Sequence, residues 1–123
     1  MKEYIASKKA VNTDLLLQLT KAKNFIDQDV SRKVDIDTLA KEAGLSKFHF
    51  FRCFKNAFGL SPYQYLLKQR LERSMQLLSE GNWQVTEVAY EVGFNDVYSF
   101  SKSFKKYFKA CPSQVVFYCG ADF

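Results

Sequence analysis

The sequence predicts an all-α fold in which two helix-turn-helix subdomains are joined by a long central helix, about seven helices in all. Three observations carry that expectation. Apolar residues recur at helical rather than alternating spacing almost throughout the 123 residues. One pattern of residues occurs twice, first at an offset of 49 positions and then of 50. Between the copies lies a stretch without internal proline or glycine, long enough for roughly 28 Å of helix at about 1.5 Å per residue.

After the polar run Asn12, Thr13, Asp14, the residues Leu15, Leu16, Leu19, Ala22, Phe25 and Ile26 form the apolar stripe of a first amphipathic helix. Asp35 is placed as N-cap of a short helix through Ile36, Leu39, Ala40 and Ala43, which Gly44 ends by supplying a left-handed residue. Ser46 caps a third helix that turns Phe50, Phe54, Ala57 and Phe58 inward and stops at Gly59. Ser61 and Pro62 then restart the chain as N-cap and first helical residue. The long helix that follows runs through Tyr65, Leu66, Arg70, Leu71, Met75, Leu77 and Leu78 to Gly81. The expected organisation is a linker or tail over 1–12, a first subdomain over 13–60, a connecting helix over 61–81, a second subdomain over 82–118 and a tail over 119–123.

The internal repeat constrains the fold more than any single helix does. Ile36, Leu39, Ala40, Gly44 and Leu45 answer to Val85, Val88, Ala89, Gly93 and Phe94. Beyond the glycine, Phe50, Phe54, Phe58 and Pro62 answer to Phe100, Phe104, Phe108 and Pro112, so the second turn holds one extra residue. The alanines allow close approach of helices, and the glycines allow the sharp turn between them. This is a helix-turn-helix written twice.

Charge divides the helices of each copy. The first helices carry Asp35, Asp37 and Glu42, then Glu87 and Glu91; the second carry Lys47, Arg52 and Lys55, then Lys102, Lys105, Lys106 and Lys109. Asp96 is the exception, and its place opposite Ser46 makes it an N-cap whose charge the helix dipole offsets. With a net charge of +5, two basic helices favour a polyanionic partner. Two readers of successive major-groove segments sit about 34 Å apart on B-DNA, a length close to that of the connecting helix.

Composition narrows the alternatives. Hydrophobic residues make up 47% and aromatics 16%, with twelve phenylalanines, which supports a packed core and argues against disorder. A chain this short leaves little room for a large catalytic cleft. Cys53, Cys111 and Cys119 form no CxxC pair, so neither a disulfide framework nor a zinc knuckle is indicated, and free thiols fit a reducing cytoplasm. The one histidine, His49, has no second ligand at metal spacing and is assigned a partly buried structural or phosphate-bonding role. Cys53 is read as a small buried hydrophobe. No signal peptide or membrane span is evident in residues 1–20. No catalytic residue, cofactor or metal is expected.

Leu39-Ala40 to Gly44-Leu45-Ser46, Phe54-Lys55 to Phe58-Gly59-Leu60-Ser61-Pro62, Tyr65 and Arg70 together resemble the AraC/XylS family of transcription regulators. The stretch from Val88 to Asp96, then Phe100 to Phe108 with Pro112-Ser113, is similar to that family's signature. The resemblance covers about residues 15–116. Lys109-Ala110 departs from it, standing where the family usually has a helix-ending glycine, and Val97-Tyr98-Ser99 departs from the usual wording of the second reader. The resemblance implies sequence-specific binding of double-stranded DNA by a bacterial regulator, with recognition helices over about 46–58 and 96–108. It also implies RNA polymerase as a partner, and a separate N-terminal effector or dimerisation domain for which these 123 residues have no room. On that ground the chain is expected to be a C-terminal piece of a larger regulator.

Periodicity leaves Lys47, Phe48, Phe51, Arg52 and Lys55 for the groove on the first reader. Arg52 is the foremost base contact, since a guanidinium bonds guanine O6 and N7 together. For Phe48 and Phe51 two readings stay open, packing of one of them in the core or apolar contact with thymine methyl groups. On the second reader Val97, Tyr98, Ser101 and Lys102 project at positions resembling the family's base readers, while Lys105 and Lys106, like Lys47 and Lys55, are assigned to phosphates. Two other functions compete. A repair methyltransferase shares a similar DNA-binding part but needs an activated acceptor cysteine, and no activating group is visible. A helical protein-interaction module would keep the fold without reading DNA.

Overall fold

A computed structural model of the chain describes residues 13–115. The expected tails over 1–12 and 119–123, and with them Cys119, lie outside the described residues. Among the described residues every regular element is helical. In chain order these are α1 (Thr13–Gln28), α2 (Ile36–Ala43), α3 (Lys47–Phe58), α4 (Pro62–Ser79), α5 (Val85–Glu91) and α6 (Val97–Phe108), with a further helical turn over 112–115. The all-α class with two helix-turn-helix pairs and a long intervening helix is the architecture expected.

The chain divides into two compact units, and the division falls within α4, between Tyr65 and Leu66. In the first unit α1 packs on α2 and α3. Its interior is built from Leu19, Ala22 and Ile26 of α1, Leu39, Ala40 and Ala43 of α2, and Phe50 and Phe54 of α3. Leu16 is 48% exposed and falls off the expected stripe. The residues of the helix that reach the core are Leu19, Ala22 and Ile26, three and four apart, while Leu16 lies in its first turn. Tyr65 closes the unit, its ring 5.9 Å from Phe54 and its hydroxyl donating to Asp27 at 2.6 Å.

The second unit comprises residues 66 onward together with the short stretch Val30–Lys33. Leu71, Leu77, Leu78, Val88, Ala89, Val92, Phe100 and Phe104 form its core, flanked by Trp83, Phe94 and Phe108. Arg70 ties Val30–Lys33 into the unit, donating to the carbonyl oxygens of Val30 at 2.6 Å and Arg32 at 2.9 Å. Gly93 lies against this bracket with φ +104°; a Cβ there would stand 2.9 Å from Ser31 Cα and 3.0 Å from the Arg70 guanidinium.

The repeat reappears as hydrogen bonds. Leu45 N donates to Ala40 O and Phe94 N to Ala89 O, both at 2.9 Å, closing the first helix of each pair. Gly59 N donates to Lys55 O and Lys109 N to Lys105 O, both at 2.8 Å, closing the second. Gln64 Oε1 accepts from Ser61 N at 3.0 Å, and Gln114 Oε1 accepts from Cys111 N at 2.8 Å, so each pair is followed by the same helix start. Ring spacings repeat as well, with 5.5 and 4.7 Å along Phe50, Phe54, Phe58 against 5.6 and 4.6 Å along Phe100, Phe104, Phe108.

Candidate nucleic-acid interface

Helix α3 starts where its sequence says it should. The hydroxyl of Ser46 accepts from His49 N, and Gly59 ends the helix in the left-handed region at φ 78°. Anchoring Phe50 and Phe54 in the core fixes the rotation of the helix, so that Phe48, Phe51, Arg52 and Lys55, at spacings of three, one and three, line the opposite face. Phe48 is 79% exposed and Phe51 42%, so neither packs in the core. Lys47, Arg52 and Lys55 are exposed as well.

Three expectations on this helix need correction. Ala57 is exposed, not inward; Phe58, one residue further, takes the inward place in the last turn through its ring contact with Phe54. His49 is exposed, because the residue before a buried Phe50 points off the apolar stripe. Cys53 is half-buried, on the edge of the same stripe.

The outward face of α3 borders an open hollow of about 540 Å³ in the first unit, whose walls include Phe48, Phe51, Arg52, Ile36 and Tyr63. Ile36 at the start of α2 and the 60%-exposed Tyr63 in the first turn of α4 were not among the candidates from sequence. Their sequence signal as site residues is an apolar or aromatic residue at the first or second position of a helix, which is too common to single them out.

Helix α6 is capped by Asp96, whose carboxylate accepts from Ser99 N at 2.7 Å and from Ser99 Oγ at 3.1 Å. Phe100 and Phe104 are buried, and Tyr98, Lys102, Lys105 and Lys106 are exposed, Tyr98 to 73%. Ser101 is half-buried. Val97 does not project freely as expected; it is half-buried and packs against the core of the second unit. A branched apolar side chain at the first helical position lowers the free energy by turning toward apolar neighbours.

Near the end of α6, Tyr107 donates from its hydroxyl to Glu72 at 3.0 Å, and Lys68 stands 3.5 Å from the same carboxylate. Desolvation, and then the Glu72 carboxylate, hold the Tyr107 hydroxyl above its ordinary value. The acids Asp35, Asp37, Glu42, Glu87 and Glu91 are all exposed on α2, its cap and α5, apart from the cationic faces of α3 and α6. Asp35 caps α2, its carboxyl held below the ordinary value by hydrogen bonds from the Thr38 backbone N–H and hydroxyl, each 2.8 Å long. Among the described residues no three metal-ligating side chains gather in one place, and no helix is long and apolar enough to cross a membrane.

A protein family described as a helix-turn-helix domain matches residues 39–116. The chain is 32% identical over 95 residues to the probable transcriptional regulator LumQ of Photobacterium leiognathi, an alignment that covers 77% of this chain and 38% of LumQ. It thus spans less than two fifths of that relative. Among solved structures, the DNA-binding domain of the global transcriptional factor AdpA, in complex with a target DNA, superposes with a TM-score of 0.76 at 27% identity. That match covers 84% of this chain and 90% of the AdpA domain. A transcriptional regulator from Chromobacterium violaceum with an AraC-type DNA-binding domain superposes with a TM-score of 0.78 at 25% identity, covering 85% and 93%. With the doubled motif, the capped reading helices and these likenesses in agreement, the chain belongs to the helix-turn-helix family of AraC-type DNA-binding domains.

Proposed function

We propose that this domain binds double-stranded DNA sequence-specifically as the reading part of a bacterial transcription regulator, with α3 and α6 entering successive major-groove segments. The observation that carries the reading is the two-sidedness of both helices, each with buried phenylalanines on one face and exposed cations on the other. A helix of this width fits the major groove. In this reading Arg52 bonds guanine, Phe48 and Phe51 supply apolar contact, and Tyr98, Ser101 and Lys102 are the base-facing residues of α6. Val97 serves at most the rim of that second contact. Lys47, Lys55, Lys105 and Lys106 meet phosphates, which position the domain without choosing a sequence.

The AdpA domain, solved with a target DNA, supports this assignment by likeness. The chain spans 38% of LumQ, a share that fits a further effector or dimerisation domain in the whole regulator; cytoplasmic action with RNA polymerase as the other partner is part of the same proposal. Selection of sites from a random duplex library, run for the unchanged domain and for Arg52→Ala, tests the reading. The expected result is a motif of two segments about one helical turn apart, with one segment blurred by Arg52→Ala. Enrichment of no sequence at low or moderate salt would overturn it in favour of a protein-interaction module.

A further inference from the structure

The two reading helices repeat in fold but differ in the chemistry of their outward faces. At the position where α6 presents Ser101, α3 presents Phe51, and Tyr98 is matched by Phe48. A phenyl ring carries neither a donor nor an acceptor, so at these two positions the first reader cannot select a base by hydrogen bonding. Leaving Phe48 at 79% and Phe51 at 42% exposure keeps apolar surface in water that burial elsewhere would remove. The hollow beside them adds Ile36 and Tyr63, and its charged walls, Lys47, Arg52 and Lys55, are all cationic. An apolar floor with a cationic rim and no acid fits an apolar group presented on a polyanion. In the major groove one base substituent has that character, the C5-methyl of a pyrimidine.

Resting on the proposed DNA reading, we propose that the hollow at α3 is a binding site for pyrimidine C5-methyl groups, so that the first reader accepts thymine or 5-methylcytosine and rejects cytosine. Thymine and 5-methylcytosine differ at C4, an acceptor oxygen against a donor amine. The rings of Phe48 and Phe51 are indifferent to that difference while they bury the methyl that both bases share. Occupancy of a site containing cytosine therefore responds to cytosine methylation.

The experiment uses the unchanged domain and the duplex selected from the random library. Each thymine of the motif is replaced in turn by uracil, cytosine or 5-methylcytosine, with the paired base adjusted, and affinity is read by fluorescence anisotropy. At thymines under α3, uracil should weaken binding about four-fold, the worth of one buried methyl. Cytosine should bind weakly there, and 5-methylcytosine should restore most of the affinity. Phe48→Ala and Phe51→Ala, which touch exposed side chains and should leave the thermal melt in place, should erase these differences. Uracil binding as well as thymine at every position, or 5-methylcytosine binding no better than cytosine, would overturn the proposal while leaving the DNA reading intact. A domain that enriches no duplex at all overturns both.

Discussion

Lys109 is the only residue other than glycine with a positive φ among the described residues, at 63°, and it ends α6 as Gly59 ends α3. The sequence marked Lys109 as one of the cations of the second reader and as a departure from a family pattern; the backbone shows that the left-handed turn is kept and the side chain is made to fit it. Such a conformation costs a Cβ-bearing residue about 1–2 kcal/mol, part of which glycine's greater freedom in the unfolded chain offsets. Lys109→Gly should therefore raise stability by about 0.5–1 kcal/mol, read from urea unfolding midpoints. Asp35 gives a pH-dependent counterpart. Because its carboxyl is held below the ordinary 3.8 in the folded state, its contribution is complete above that value and lost as pH falls through the folded one. Asp35→Ala should melt below the unchanged domain at pH 7, and the gap should narrow in melts recorded at successively lower pH below 3.8. The caps Asp35, Ser46 and Asp96 were legible in the sequence because a cap is a local bargain between one side chain and the next turn. Ala57 and Val97 were misplaced because at the ends of a helix the neighbours, and not the period, decide which way a side chain turns.

Between elements, the turn at Gly93 shows what local reading leaves out. Glycine was expected there for its freedom of φ, and that freedom is used. The tighter constraint comes from residues distant in sequence, Ser31 and Arg70, which leave no space for a methyl group. Gly59 also has positive φ but faces nothing within 4 Å. Gly93→Ala should therefore cost about 2–4 kcal/mol, combining strain with overpacking, whereas Gly59→Ala should cost about 1–2 kcal/mol, the strain alone. Thermal and urea unfolding of the two variants separates them, and equal losses would mean the bracket around Gly93 yields. Arg70 entered from sequence as a residue of the long helix and through resemblance; its work of holding two backbone carbonyls could not be read from its neighbours in the chain. The hollow beside α3 was hidden for a similar reason, since Ile36 and Tyr63 reach it from two other helices.

For the molecule as a whole, the doubled pattern made the architecture legible, because both copies carried caps, turn glycines and phenylalanine rows in the same order. Net charge of +5 and four lysines assigned to phosphates give a quantitative expectation. If those four displace counterions, log K should fall with log salt at a slope of about −3.6. Lys105→Ala should reduce that slope by roughly one while weakening all sequences alike, measured by titrations at several salt concentrations. A slope near zero would remove the phosphate assignment. The stretch Val30–Lys33, which precedes α2 in the chain yet belongs to the second unit, has a consequence for inheritance. A gene segment cut from residue 66 onward would carry the second reader without the strand of backbone that Arg70 and Gly93 require. Recombination that swaps one reader for another by a single crossover in α4 would thus pair each second unit with a foreign bracket. Exchange of operators between such regulators should then proceed by point changes on the outward faces of α3 and α6, or by crossovers before residue 30, and seldom by shuffling the readers as cassettes.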